Sequence, residues 1–190
     1  MKKNNEMLFV LSILKNPEKE FNANNIAKEI NISPMGALKI ARKLEKERIL
    51  SSKSIGRAKI YAIDFNEYAE QYIKFLLKKE IEQSSPYIKM WVGELKKIKN
   101  SEAIILFGSV LKKEKQAGDI DILVLVDKKR FDKVKKEIES INQLNEKKIH
   151  PVYQTEEDFE KNLKQKDKIV LNALKGLYVF GEDRIIKVLK

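Results

Sequence analysis

The chain contains no cysteine, which excludes disulfides and thiolate metal sites and is compatible with a reducing compartment. It also lacks an apolar stretch near the roughly 20 residues that a helix needs to span a bilayer, so we expect no membrane partner. Its only histidine is His150, which we interpret as a strand residue with a satisfied ring rather than as a metal ligand. A cytoplasmic location is the resulting expectation.

Charge, by contrast, is abundant and unbalanced. The 190 residues include 39 Lys+Arg against 28 Asp+Glu, giving a net charge of +11, while 43% of residues are hydrophobic. The chain can therefore build one medium domain or two small ones. A strongly basic chain attracts polyanions, and nucleic acid is the first candidate partner. Alternatively, the positive charge reflects amino-acid composition alone, because lysine and isoleucine are also enriched in proteins encoded by AT-rich genomes and in some thermophiles.

The first 60 residues predict three helices followed by a hairpin. The segment "NNEMLFVLSIL" has apolar residues at helical spacing and is interpreted as a first helix rather than a signal peptide. Asn22 or Asn24 can cap a second helix. Ser33 and Pro34 are typical of the cap and first position of a third helix, which is expected to run to about Lys46. Two short alternating runs then flank a turn at Gly56-Arg57.

The segment "NANNIAKEINISPMGALKIARKLEKERILSSKSIGRAKIYAID" resembles the winged helix-turn-helix regulators of archaea and bacteria. That resemblance implies binding to double-stranded DNA, with the third helix entering the major groove and the hairpin approaching phosphates. The predicted DNA-binding residues are the basic side chains of these two elements: Lys39, Arg42, Lys43, Lys46, Lys53 and Arg57. The alternative is a solvated basic face on a domain that contacts another protein.

Residues 65–100 predict two amphipathic helices that join the domains or pair with their copies in a homodimer. Phe65, Tyr68 and Ala69 begin the inner stripe of the first helix. Ser84-Ser85-Pro86 separates the two helices. Trp91 lies on the inner side of the second helix, where a core or interface role is expected.

From residue 101 the pattern alternates between strands and helices, which indicates a small mixed sheet. "AIILF", "DILVLV", "KIHPVYQ" and "LYVFG" are the predicted strands, with helices between them. The helix "DKIVLNALK" is expected to end at Gly176 with a left-handed glycine. The overall fold class is therefore α+β: residues 1–64 form a winged helix-turn-helix domain, 65–100 a helical linker and 101–190 a mixed-sheet domain.

The stretch "FGSVLKKEKQAGDIDILVLV" carries the most specific chemical signal. Side chains alternate along a strand, so Asp119 and Asp121 project to the same face. Two such carboxylates repel each other unless a cation lies between them, and Mg²⁺ prefers oxygen ligands. Upstream, Gly108 permits a sharp turn, and Ser109 and nearby amides could hold a phosphate. This combination is suited to nucleotidyl transfer. The alternative is a pair of solvated acids at a strand end.

The stretch resembles the signature of the polymerase β-type nucleotidyltransferase superfamily, and the chain's size suggests its minimal members. Gly108-Ser109 is followed after nine residues by Asp119-Ile120-Asp121 within an apolar strand. The resemblance implies that Gly108 and Ser109 bind the phosphates of ATP or another nucleoside triphosphate. It implies that Asp119 and Asp121 are both catalytic residues and ligands of Mg²⁺.

The sequence departs from this family at the third carboxylate, which usually lies on the next strand. That strand is "KKIHPVYQ" and contains no acid; the matching place is near His150. Glu146 precedes the strand, and acidic residues follow it, namely Glu156, Glu157 and Asp158. Lys112, Lys113 and Lys115 replace the Arg or Ser that small relatives often carry between the two halves of the signature. These lysines are candidates for phosphate contact, or form a solvated charged run.

Two functional hypotheses remain open on this reading. In the first, the protein binds DNA and transfers a nucleotidyl group to a hydroxyl of a partner protein or small molecule. In the second, it is a transcriptional regulator whose nucleotidyltransferase-like half senses nucleotide without catalysis. The missing third acid favours the second hypothesis, whereas the intact Gly-Ser and Asp-x-Asp elements favour the first. An RNA-modifying enzyme is a third reading, for which the chain is small.

Overall fold

A computed structural model describes residues 4–190, which divide into two compact units, 4–77 and 78–190. The predicted α+β fold class is confirmed. The division falls inside the segment interpreted as a helical linker, and the exact domain boundaries stay a prediction. Among residues 4–190, no helix combines the length and apolarity needed to cross a membrane.

The first unit has the element order of a winged helix. Its elements are α1 (Asn5–Leu14), α2 (Ala23–Ile30), α3 (Pro34–Lys46), β1 (Leu50–Ile55), β2 (Ala58–Ile63) and most of α4 (Glu67–Glu82). β1 and β2 form an antiparallel two-stranded hairpin, and Phe21 makes an isolated antiparallel bridge to Tyr61. Phe9 packs edge-on against Tyr61, with ring centroids 6.1 Å apart. This aromatic contact packs α1 against the hairpin.

Side-chain caps fix where α2 and α3 begin. Asn22 accepts hydrogen bonds from the amides of Asn24 and Asn25, and the Asn25 side chain accepts one from the Asn22 amide. Of the two asparagines proposed from the sequence, Asn22 is therefore the cap. Ser33 caps α3 by accepting from the amide of Gly36 at 3.0 Å, as its position before proline predicted.

The second unit contains a four-stranded mixed sheet in the order β5-β4-β3-β6. The strands are β3 (Ala103–Phe107), β4 (Ile120–Leu125), β5 (Ile149–Gln154) and β6 (Leu177–Phe180). β3 runs antiparallel to β4 and β6, whereas β4 and β5 are parallel. The helices are α5 (Pro86–Leu95), α6 (Val110–Lys113), α7 (Phe131–Leu144), α8 (Glu156–Lys164), α9 (Lys168–Leu174) and α10 (Glu182–Leu189).

The central strands are buried throughout. Every residue of β3 is buried, and Ile120 and Ile122 of β4 point into a core that also contains Trp91, at 1% exposure. Trp91 thus has the core role expected for it. Because α5 supplies this core, its apolar side is not available as an interface between copies.

Three details of the sequence reading were wrong. Tyr68 is 59% exposed rather than on the inner stripe of α4, which is formed by Ala69, Ile73, Leu76 and Leu77. Gly176 does not have positive φ; a Cβ there would lie 2.3 Å from the carbonyl oxygen of Leu106, so close packing on β3 requires the glycine. The helix α10 had not been predicted.

Candidate active site

The pairing of β3 with β4 places the glycine turn beside the second aspartate. Phe107, the last residue of β3, is the register partner of Asp121. Gly108 follows with φ of +82°, a conformation that side chains other than glycine rarely adopt. A Cβ at Gly108 would lie 2.1 Å from Oδ2 of Asp121. The glycine is therefore needed for both its backbone angle and the space that the Asp121 carboxylate occupies.

Ser109 lies at the start of a very short helix. It precedes α6, and its carbonyl accepts hydrogen bonds from the amides of Lys112 and Lys113. Its side chain makes no capping bond, so the half-buried hydroxyl is not committed to the helix end. The predicted role in phosphate binding stays a prediction.

The parallel pairing of β4 with β5 brings His150 to the two aspartates. Asp121 and His150 are register partners, and Nδ1 of His150 lies 3.0 Å from Oδ2 of Asp119. One oxygen of each aspartate and one nitrogen of His150 lie within 4.8 Å of one another. The ring thus has a partner, as expected for a strand histidine, but that partner is one of the two site carboxylates.

The environment of Asp121 disfavours its charged form. Burial, and secondarily the neighbouring Asp119 carboxylate, raise the pKa of Asp121 above its ordinary value, while His150 partly offsets the shift. A cation between the two carboxylates would relieve their repulsion. The residues present therefore fit a hard or borderline divalent ion, with Asp119 and Asp121 as oxygen donors and His150 as a nitrogen donor.

The acids considered as substitutes for the third carboxylate do not join this cluster. Glu156 follows β5 and pairs with Lys187 and Arg184. Asp158 belongs to the cap of α8, where its hydrogen bonds with Thr155 lower its pKa. His150 is the second residue of β5, so most of this strand, which rises about 3.3 Å per residue, separates His150 from the acids that follow it.

Sequence reasoning missed a contact that shapes the loop before Asp119. Nζ of Lys147, just before β5, donates to the carbonyl oxygen of Ala117. The amide of Ile120 donates to the carbonyl of Lys148 at 3.0 Å. The start of β4 is thus held on both sides of the first aspartate. No local pattern signals this contact, because 30 residues separate Lys147 from Ala117.

The six basic residues predicted to bind DNA are all exposed, but they differ in their partners. Lys43 lies 2.8 Å from the Glu6 carboxylate, which raises the pKa of the lysine through a hydrogen bond. Lys53 lies 3.6 Å from Glu20. The other four are Lys39, Arg42 and Lys46 on α3 and Arg57 at the hairpin turn.

Residues 92–181 match the family model described as "Polymerase beta, Nucleotidyltransferase". This match covers just under half of the chain and contains Gly108, Ser109, both aspartates and His150. The matched family is the one whose signature the Gly-Ser and Asp-x-Asp elements resemble. No curated protein matches the chain.

Several solved structures are distantly similar to this chain. AF1382 from Archaeoglobus fulgidus is 15% identical over 45% of this chain and 94% of that one, with a TM-score of 0.38. The adhesin competence repressor AdcR from Streptococcus pyogenes is 14% identical over 49% and 75% of the two chains, with a TM-score of 0.33. ZitR from Lactococcus lactis is 20% identical over 38% and 49%, with a TM-score of 0.29. These scores are too low to inform the function.

Proposed function

We propose that the second unit binds a nucleoside triphosphate with a divalent cation, Mg²⁺ by family analogy, and transfers its nucleotidyl group to a hydroxyl of a protein or small molecule. The hydroxyl oxygen forms a bond to the α-phosphorus, the bond from that phosphorus to the β-phosphate oxygen breaks, and pyrophosphate and the hydroxyl proton are released. The observation that carries this proposal is the convergence of Gly108, Asp119 and Asp121 at one end of the sheet, inside the segment that matches the nucleotidyltransferase family. ATP is the nucleotide that the resemblance favours.

The chain's own residues would divide the work of such a site. Asp119 and Asp121 would hold the ion, which when bound would neutralise charge on the phosphates. Gly108 keeps the space beside Asp121 open, and the amides that follow it, together with the Ser109 hydroxyl, would contact phosphate oxygens. Lys112, Lys113 and Lys115 are exposed near this turn and would add positive charge.

Calorimetry of the full chain with Mg²⁺ and ATP tests this site. We expect Asp119→Asn and Asp121→Asn to abolish metal-dependent nucleotide binding. Asp132→Asn is the matched control, because it removes an exposed carboxylate of the same unit away from the cluster. Binding that survives in the Asp121→Asn protein would refute the site.

The sensor hypothesis is the second candidate, and the observation that favours it is the histidine at the place of the third carboxylate. The full chain should be incubated with ATP labelled at the α-phosphate and with candidate acceptors. Label on an acceptor, absent with the Asp119→Asn protein, supports transfer. If nucleotide instead alters DNA affinity and no label moves, the regulatory alternative is correct.

We propose that the first unit binds double-stranded DNA through α3 and the hairpin, in a cytoplasmic protein that regulates transcription. The support is the order of three helices followed by a hairpin, together with the exposed basic residues of α3. Binding of duplex DNA should weaken steeply with salt. Replacing Lys39 by alanine should lower the salt slope by about one. Lys43→Ala should lower it less, because Glu6 already pairs with that lysine; equal effects would refute this difference.

A homodimer, if formed, would use α4. Tyr68 and Phe75 are seven residues apart on this helix and are 59% and 56% exposed. Residues at this spacing share one helical face. Light scattering at micromolar concentration should give twice the monomer mass, and Tyr68→Glu should reduce it. A monomeric wild-type chain would rule out the homodimer.

A further inference from the structure

His150 occupies a position that depends on the strand register. β4 and β5 are parallel, and Asp121 and His150 are direct register partners at the beginning of these strands. The resemblance places the family's third carboxylate on this same strand. The single histidine of the chain therefore lies where a third acid was expected.

The ring is close enough to share an ion with both carboxylates. Its Nδ1 is 3.0 Å from Oδ2 of Asp119, and the donor atoms of the three residues lie within 4.8 Å of one another. The His150 side chain is 62% exposed, so it can reorient without disturbing a core. On the other side of Asp121, the absent Cβ of Gly108 leaves the carboxylate free to point into this cluster.

The donor set differs from that of a three-carboxylate site in charge and in softness. Two carboxylates and a neutral imidazole carry two negative charges instead of three, which weakens the attraction for Mg²⁺. Imidazole is a good ligand for first-row transition ions, whose affinities follow the Irving–Williams order, whereas Mg²⁺ prefers oxygen. Replacing the acid by histidine should therefore change which metal the site selects.

We propose that His150 is a direct metal ligand and that this centre favours a transition ion such as Mn²⁺ or Co²⁺ over Mg²⁺. The inference rests on the proposed nucleotidyltransferase function and specifies its metal. Asp119 and Asp121 supply oxygen ligands, and one ring nitrogen of His150 supplies the third ligand. In this arrangement His150 binds the metal ion, which is not the usual role of a single histidine in a strand.

The test measures metal binding directly on the full chain, after removal of metals with a chelator. Mn²⁺ binding is followed by electron paramagnetic resonance, and Mg²⁺ binding by competition with Mn²⁺. Electron spin-echo modulation of bound Mn²⁺ should show coupling to a histidine nitrogen. This coupling should be lost in both His150→Asp and His150→Ala. In His150→Asp, the ratio of Mn²⁺ affinity to Mg²⁺ affinity should fall at least about tenfold, which is the smallest loss that removing a hydrogen-bond partner of a metal ligand typically causes.

Glu146→Gln is the matched control, since this exposed acid precedes β5 but does not belong to the cluster, and it should leave both affinities unchanged. Bound Mn²⁺ without nitrogen coupling would overturn the proposal, because His150 would then only hydrogen-bond to Asp119. An unchanged metal preference in His150→Asp would overturn it as well. In both cases the proposed function stands if nucleotide still binds. If neither metal nor nucleotide binds the wild-type chain, the proposed function fails together with this inference.

Discussion

Replacing Gly108 by alanine should affect stability and the candidate site together. The alanine would have to adopt φ near +82°, and its Cβ would lie 2.1 Å from Oδ2 and 3.0 Å from Cβ of Asp121. A residue held in this left-handed region costs of order 1–3 kcal/mol. Since the whole Asp121 side chain must move, its carboxylate leaves the position that it shares with Asp119. We therefore expect a loss of stability of about 1–3 kcal/mol, with loss of Mn²⁺ and Mg²⁺ binding.

Urea unfolding followed by tryptophan fluorescence measures this effect in the second unit. Trp91 is the only tryptophan, and it is buried in the core of that unit. Gly118→Ala is the matched control: a Cβ there meets nothing within 4 Å and no positive φ is required, so the change should stay within about 0.5 kcal/mol. If Gly108→Ala is as stable as the control and binds metal equally, the inferred crowding of Asp121 is wrong.

Two further substitutions test the electrostatics of the site and the cap of α2. In the absence of metal, Asp121→Asn should raise the urea midpoint at pH 7, because burial and Asp119 raise the pKa of Asp121 and so make its ionisation unfavourable in the folded unit. The gain should disappear as the pH falls below about 3.9, where the carboxyl is protonated in both states; a gain that persists there contradicts this cause. Asn22→Ala should destabilise the first unit by about 1 kcal/mol, measured by circular dichroism during urea unfolding. Asn24→Ala should have little effect, and equal losses would contradict the assignment of the cap.

Local sequence determined most of the elements. Ser33-Pro34 fixed the start of α3, because a hydroxyl before proline satisfies the helix amides wherever that helix lies. The apolar spacing of α5 likewise placed Trp91 inward. The prediction for Tyr68 was wrong, because the apolar spacing of this helix is compatible with more than one buried face. Packing against neighbouring elements decides which face is buried. The prediction for Gly176 was also wrong, because its role depends on contact with Leu106, 70 residues away along the chain.

In the candidate site as well, some features were determined by the local sequence and others only by the tertiary structure. The sequence alone determined that Asp119 and Asp121 share a face, because alternation along a strand is a local property of the backbone. It also determined that a glycine precedes Ser109, but not why a side chain is excluded there. Only the tertiary structure decided that His150 joins the two aspartates, since the parallel register of β4 and β5 sets which residues face each other across the sheet. A shift of one residue would turn His150 to the opposite face, so that outcome depends on the packing of both strands rather than on either strand's own sequence.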